Sequence, residues 1–197
     1  MYLFKEGALK EDYLNLIDKI EEITGFEIKL EGIYRFISFL PSTEDKEKQV
    51  MNKFYGIFEN GEIKVRGLML KRRDTPFFIK RFQEKLLTYW NNPEKQKELY
   101  DEAVIKLKNR EIPFKNLTIK KRITKKINEY KNKTLHSIVA SSLPGINPGE
   151  SIEYVVTDNK SKVSEERAKL VEFADSYDDE FYISLLNKAL NEVFIQK

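Results

Sequence analysis

The sequence contains no cysteine and only one histidine, His136. The absence of cysteine excludes disulfide bonds and thiolate chemistry, and a single histidine excludes most histidine-based metal sites. No apolar run approaches the ~20 residues that a helix needs to cross a bilayer, and no signal peptide is visible. We therefore expect a cytoplasmic protein with no membrane partner.

The composition predicts a folded protein with an uneven charge. Apolar residues make up 41% and aromatic residues 12% of the 197 positions, which is enough for one large or two small packed domains. The net charge is only +3, but residues 106–133 hold 11 basic and 2 acidic side chains, or +9. Residues 1–31 sum to −4 and residues 150–197 to −5. A strongly positive middle indicates a polyanionic partner on one side, and abundant Lys and Glu without Cys is typical of a thermophile.

Residues 52–76 have the pattern of a β-hairpin that leads into a cluster of cations. Residues 53–58 alternate and are rich in aromatics, and Asn60-Gly61 is a strong hairpin signal. A second alternating run follows, and then three consecutive cations. The hairpin and this cluster bring together Lys53, Tyr55, Lys64, Arg66, Lys71, Arg72 and Arg73. Such a set suits a groove for a phosphate backbone, although outward lysines and arginines also occur on an ordinary solvated face.

The rest of the chain predicts alternating strands and amphipathic helices. A strand over Ile33–Leu40 is apolar on both faces, which predicts a central place in its sheet. A polar loop is expected between Pro41 and Gln49. Further strands are expected over Met1–Phe4, Phe26–Leu30 and Ile152–Val156. Helices are expected over Lys10–Thr24, Pro76–Trp90, Asn92–Ile112 and Leu135–Ser142, and a last helix from Asp179 onward. Asp74 or Thr75, Asn92 and Thr134 are the expected caps.

The order of motifs around the hairpin resembles the palm of family B DNA polymerases, especially archaeal ones. Lys-x-Tyr-Gly is followed by a hairpin, by Arg-Gly-Leu and by Lys-Arg-Arg-Asp-Thr-Pro. The resemblance implies that Lys53 and Tyr55 hold the primer strand near its 3′ end. It also implies that the turn of Arg72, Arg73 and Asp74 lies against the duplex backbone.

A second resemblance lies in the basic middle of the chain. Thr124-Lys125 followed by Tyr130 is similar to the Leu-Thr-Lys…Tyr segment of the polymerase thumb, with Ile123 in place of the usual Leu. This implies contacts with the minor groove and its phosphates, whereas the alternative is a thermophile's charged surface. His136 matches a frequent histidine of the family and is interpreted as a phosphate or structural contact. The resemblance extends over nearly all of the chain.

The resemblance implies an α+β fold, with residues 1–75 as the C-terminal part of the palm and residues 76–197 as a mostly helical thumb. The family's catalytic aspartates, its fingers lysine and its exonuclease portion have no match here. We therefore expect no catalytic or metal-binding residue in this chain, no cofactor bound by it, and Mg²⁺ on the aspartates of a partner chain. The paired acids Asp178 and Asp179 are expected to start a helix.

The resulting hypothesis is the small chain of a split DNA polymerase that is inactive alone. Its partners would be a primer–template duplex and a larger chain with the exonuclease, the fingers and the catalytic aspartates. Residues 1–4 would pair with that chain as a strand. The alternatives are a freestanding duplex-binding module without catalytic activity and a structural remnant. The expected DNA contacts are Lys53, Tyr55, Arg66, Lys71, Arg72, Arg73, Lys121, Thr124, Lys125, Tyr130 and His136.

Overall fold

The computed structural model describes residues 2–42 and 48–193. The chain folds as two compact units, Met1–Arg66 and Gly67–Lys197. Both contain helices and small antiparallel sheets, so the expected α+β class is confirmed. The turn of Lys71–Asp74 belongs to the second unit, and the assignment of palm and thumb to particular residues stays a prediction.

The first unit holds one helix and a three-stranded antiparallel sheet. Helix α1 spans Lys10–Thr24, and the sheet has the order β1-β2-β3 with β1 at Tyr34–Pro41, β2 at Gln49–Phe58 and β3 at Ile63–Arg66. Strands β2 and β3 form the expected hairpin, in which Tyr55 pairs with Val65. Only Gly61 of the Asn60-Gly61 pair adopts a positive φ, at 85°. The connection is therefore a three-residue loop that closes with a glycine.

Three strand predictions in the first unit are wrong. Residues 2–4 form no strand, because the Tyr2 ring instead packs edge-on against Phe39 and Phe54, with centroids 5.2 and 5.4 Å away. Residues 26–30 form no strand either, and the Ile28 amide donates to Glu21 Oε1 of α1 at 2.6 Å. In the described part of the sheet, β1 is an edge strand and β2 is central. Met1 and most of the predicted loop, residues 43–47, lie outside the described residues.

Helix α1 forms where its apolar stripe predicts, but its apolar side chains remain accessible. Gly25 ends the helix in the left-handed conformation at φ 70°, as expected for a C-terminal glycine. No residue of α1 is buried. Ile23 is 83% exposed, and beyond the two ends of the helix Phe4 is 92% and Phe26 74% exposed. Large apolar side chains in this number are unusual on a surface that meets only water.

The second unit consists of helices packed with a second antiparallel sheet. The sheet has the order β4-β5-β6, with β4 at Ile119–Arg122, β5 at Ser151–Val156 and β6 at Ala168–Leu170. Short 3₁₀ turns complete the unit, one of them at Met69–Lys71. The helices are α2 at Phe77–Thr88, α3 at Pro93–Lys108, α4 at Phe114–Leu117, α5 at Leu135–Ser141 and α6 at Asp179–Val193.

The helix ends follow local chemistry. The Asn92 side chain accepts from the Lys95 amide at 3.0 Å, and Thr134 accepts from Ser137 at 3.4 Å, so both expected caps are confirmed. Neither Asp74 nor Thr75 caps α2, because the residue immediately before the helix is Pro76. Helix α3 ends at Lys108, short of the predicted Ile112.

The reason for this early end is Arg110, which adopts a positive φ of 61°. Its guanidinium group lies 4.6 Å from the centre of the Tyr177 ring and pairs with Asp179 at 3.2 Å. A stacked, ion-paired arginine can offset the strain of this backbone conformation.

The core of the second unit lies where α6 packs against α2 and α3. Leu86 of α2, Leu107 of α3 and Leu186 of α6 are fully buried. The buried hydroxyl of Tyr182 on α6 accepts from the Val156 amide of β5 at 3.0 Å. Among the described residues, no helix has the length and apolar character needed to span a membrane.

Candidate nucleic-acid interface

Three consecutive cations lie at the end of the 3₁₀ turn Met69–Lys71. The side chains of Lys71, Arg72 and Arg73 are all exposed. Arg72 forms an ion pair with Glu192 of α6, with Nη2 and Oε1 2.8 Å apart. Lys71 and Arg73 have no ion-pair partner within residues 2–42 and 48–193. They are therefore available for an external anion.

Buried polar side chains of α2 and α6 hold the backbone of this turn. The Met69 amide donates to Glu192 Oε2 at 2.8 Å, and the Leu70 amide donates to Gln83 Oε1 at 2.7 Å. The Gln83 amide group donates to the Ala189 carbonyl and to Glu192 Oε2, both at 3.0 Å. Gln83 is fully buried, so these bonds fix the turn in a low-dielectric setting.

An ion pair joins the Arg-Arg-Asp turn to strand β4. The Lys121 ammonium donates to Asp74 Oδ2 at 2.8 Å across 47 positions of sequence. This hydrogen bond holds the pKa of Asp74 below its ordinary value. Burial raises the pKa of the neighbouring Tyr154 to about 12, with a smaller contribution from Asp74. Two segments that are distant in sequence, and that were both predicted to meet DNA, therefore lie side by side.

The residues after β4 form a small cluster of their own. The Thr124 amide donates to the Tyr130 hydroxyl at 3.2 Å. Hydrogen bonding with the Thr124 side chain, and to a lesser degree with this amide, lowers the pKa of Tyr130. The Tyr130 ring meets the His136 ring edge-on, with centroids 5.4 Å apart. Burial, and to a lesser degree the charge of Lys121, lower the pKa of His136. At neutral pH His136 is therefore a neutral packing group instead of a cation.

These contacts connect most of the predicted DNA contacts of the second unit into one patch, which we call the thumb-side patch: Arg72, Arg73, Asp74, Lys121, Thr124, Lys125, Tyr130 and His136. Lys125 is exposed and, like Arg73, has no ion-pair partner within the described residues. The arrangement is a surface of free and paired cations beside aromatic rings, which suits a polyanion.

The hairpin residues of the first unit have different environments. Arg66 is exposed and Lys53 is half-buried, whereas Tyr55 is only 5% exposed and lies 5.8 Å from the Phe36 ring. Burial raises the pKa of Tyr55. The Tyr55 side chain therefore packs within the sheet. Its contact with DNA stays a prediction. Lys64 pairs with Glu31.

Steric crowding explains why the fourth position of the Lys-x-Tyr-Gly motif, Gly56, is a glycine. A Cβ added at Gly56 would lie 2.7 Å from the Tyr34 ring and 3.1 Å from the Phe36 carbonyl oxygen. The Tyr34 ring stacks on Phe58 with centroids 4.2 Å apart, so it cannot move away freely.

Sequence reasoning missed Gln83 and Glu192, which hold the cationic turn. No local pattern marks them, because Glu192 lies 123 and Gln83 13 positions from the backbone amide that each one binds. The paired acids do start a helix: α6 begins at Asp179, and Asp178 accepts from the Phe181 amide at 2.9 Å. Across residues 2–42 and 48–193, no three histidine or carboxylate side chains are grouped to hold a metal ion.

Comparisons with known proteins identify the family of this chain. The model of DNA polymerase family B matches residues 21–197. The chain therefore belongs to DNA polymerase family B. It is 27% identical to a DNA polymerase of Archaeoglobus fulgidus over 91% of this chain and 23% of that protein. It is 35% identical to a DNA polymerase of Pyrococcus glycovorans over 91% of this chain and 24% of that protein.

The fold also agrees with that of a solved structure. The structure of the family B DNA polymerase from the hyperthermophilic archaeon Pyrobaculum calidifontis matches 98% of this chain and 25% of its own, with a TM-score of 0.67 and 23% identity. The expected family and α+β fold are therefore confirmed. The chain spans about a quarter or less of the length of the relatives it matches.

Proposed function

We propose that this chain is the DNA-binding part of a family B DNA polymerase, which completes the palm and supplies the thumb that grips primer–template duplex. The observation that carries the proposal is the thumb-side patch. Two motifs about fifty residues apart are joined there through Lys121 and Asp74, 2.8 Å apart. Free cations lie at both ends of the patch.

The role of this chain would be to hold and orient the duplex. Lys71, Arg73 and Lys125 would donate to backbone phosphates, and the hairpin cations Lys53 and Arg66 would add further contacts. Such contacts fix register without reading sequence, and they make affinity fall as salt rises. Tyr130 and His136 would hold the loop of Thr124 and Lys125 in shape.

The polymerisation chemistry would belong to a larger partner chain. Two-metal nucleotidyl transfer needs clustered carboxylates, and residues 2–42 and 48–193 hold no such cluster. Two of the acids are already engaged: Asp74 bonds Lys121, and Asp179 bonds Arg110. The residues that the structure describes do not fit a Mg²⁺ site. The Mg²⁺ and its aspartates are proposed to lie on the partner, together with the exonuclease and the fingers.

The surface of the first unit supports a partner of this kind. Helix α1 buries none of its side chains, β1 is an edge strand in the described sheet, and the apolar side chains of Phe4, Ile23 and Phe26 are mostly exposed. An apolar helix face beside a sheet edge suits a protein interface.

The test of DNA binding is a salt titration with a fluorescein-labelled duplex. Replacing both Arg73 and Lys125 by Gln should reduce the slope of log affinity against log salt by about 1.8, since each phosphate contact contributes about 0.9. The matched control replaces Lys97 and Lys106, which pair with acids on the exposed face of α3. Equal effects of the two pairs would mean that only net charge matters.

The test of the partner is reconstitution. Primer extension should require both this chain and a chain that carries the catalytic aspartates. Replacing Leu14 and Ile23 by Glu should abolish co-elution of the two chains without unfolding this one, whereas Lys19→Glu on the polar face of α1 should not. Duplex binding without extension in any mixture would instead indicate a freestanding binding module.

A further inference from the structure

Glu192 occupies a position that is unfavourable for a carboxylate. Its side chain is only 12% exposed, so the carboxylate is largely removed from water. Burial of a charge lowers stability unless hydrogen bonds or an opposite charge compensate it. The environment of Glu192 supplies both.

The Glu192 carboxylate accepts three hydrogen bonds, two of them from the turn of Met69–Arg72 and one from α2. Oε2 accepts from the Met69 amide at 2.8 Å and from the Gln83 side chain at 3.0 Å. Oε1 accepts from Arg72 Nη2 at 2.8 Å. The amides of Met69 and Leu70 begin the 3₁₀ turn and have no partner within it, so Glu192 and Gln83 satisfy them from two other helices.

The three consecutive cations are consequently not equivalent. The Glu192 charge compensates that of Arg72, whereas Lys71 and Arg73 lack an ion-pair partner in the described part of the chain. A cation paired with a largely buried carboxylate can contact a phosphate only if that pair is broken or shared. Breaking it would leave Glu192 with a buried, uncompensated charge.

We propose that Glu192 is a positioning residue that removes Arg72 from the set of phosphate contacts and fixes the turn so that Lys71 and Arg73 are presented to the duplex. The inference rests on the proposed function, because it concerns which side chains of the thumb-side patch meet DNA. It assigns Arg72 a structural role.

Glu192→Gln separates the two parts of this role. The amide oxygen of Gln can still accept from the Met69 amide, but its NH₂ group cannot accept from Arg72, so the turn is retained and Arg72 is released. With a fluorescein-labelled duplex, the salt slope of log affinity should steepen by about 0.9 as one further cation reaches the phosphates. The matched control is Glu84→Gln, which removes the same charge and releases Arg81 from an exposed pair on α2.

Two further variants complete the titration. Arg73→Gln should reduce the slope by about 0.9, whereas Arg72→Gln should leave it unchanged. The inference is overturned if Arg72→Gln reduces the slope as Arg73→Gln does, or if Glu192→Gln and Glu84→Gln behave alike. A shallower slope for Glu192→Gln would also overturn it, because Glu192 would then be presenting Arg72 to the phosphate.

A measurement without DNA distinguishes this inference from the proposed function. The thermal unfolding midpoints of Arg72→Gln, Glu192→Gln and the double variant form a double-mutant cycle. If Arg72 and Glu192 form an ion pair, the midpoint of the double variant should be no lower than that of the less stable single variant. Additive losses would refute the ion pair itself. If the wild-type chain binds duplex with no salt dependence while the cycle shows coupling, the proposed function fails. The ion pair of Arg72 with Glu192 then has a purely structural role.

Discussion

Tyr182 is the residue whose loss we expect to damage the second unit in the most diagnostic way. It is fully buried on α6, and its hydroxyl accepts the hydrogen bond of the Val156 amide of β5 at 3.0 Å. Burial strongly raises the pKa of this hydroxyl, so it stays protonated. Tyr182→Phe keeps the ring and its packing but leaves the Val156 amide without an acceptor.

The magnitude follows from this single loss. No cavity is created apart from one oxygen atom, so the cost is that of an unsatisfied buried donor, about 1–3 kcal/mol. The control is Tyr100→Phe on α3, whose hydroxyl donates to Asn187 Oδ1 at 2.7 Å on the exposed surface. Water can replace that bond, so the change should stay within about 0.5 kcal/mol.

Urea unfolding followed by the fluorescence of Trp90 is the appropriate assay, because Trp90 is the only tryptophan and belongs to the second unit. The midpoint for Tyr182→Phe should fall with the slope unchanged, since the unfolded surface is the same. If the two variants have equal midpoints, the bond between α6 and β5 does not stabilise the unit and the reasoning is wrong.

Three further predictions concern the motifs. Gly56→Ala should destabilise the first unit by about 1–3 kcal/mol through overpacking against Tyr34, seen as a lower thermal midpoint by circular dichroism; an unchanged midpoint would contradict the close approach. The pKa of Asp74 is lower in the folded protein than its ordinary value of 3.8. The ionised carboxylate therefore contributes fully to the stability of the fold above pH 3.8, and this contribution is lost as the pH falls through the pKa of the folded state. The stabilities of wild type and Asp74→Asn should therefore converge in acid, after differing at pH 7 by at most about 1 kcal/mol for this half-exposed pair. The pKa of His136 is lowered below 6.5. The wild-type protein should therefore lose stability as the pH falls below 6.5 and through the pKa of the folded state, and His136→Asn should lack this loss. The same variant should keep the wild-type salt slope for duplex binding at pH 7.

Features with a local cause could be predicted from the sequence. The hairpin over β2 and β3 depends on alternation and on a glycine that tolerates positive φ at Gly61. The starts of α3 and α5 depend on the side chains of Asn92 and Thr134, each of which bonds an amide three residues away. The family was also recognisable, because its motifs are short contiguous strings.

The errors arose where a side chain outside the local pattern decides the outcome. Alternation predicted a strand over Phe26–Leu30, but the Ile28 amide bonds to the Glu21 carboxylate of α1 instead of to a neighbouring strand. The pairing of Arg72 with Glu192 joins residues 120 positions apart, so no local pattern could separate Arg72 from Arg73. Counting cations predicts that a surface is basic, but only the fold shows which of its charges are already compensated.

The dependence of the second unit on α6 has a consequence for biogenesis. This helix supplies the Glu192 carboxylate to Met69, the Ala189 carbonyl to Gln83 and the Tyr182 hydroxyl to Val156. During translation, the backbone amides and apolar surfaces of the preceding segments therefore remain exposed to solvent until residues 179–193 leave the ribosome. A nascent chain stalled before that point should be a substrate for chaperones or proteases.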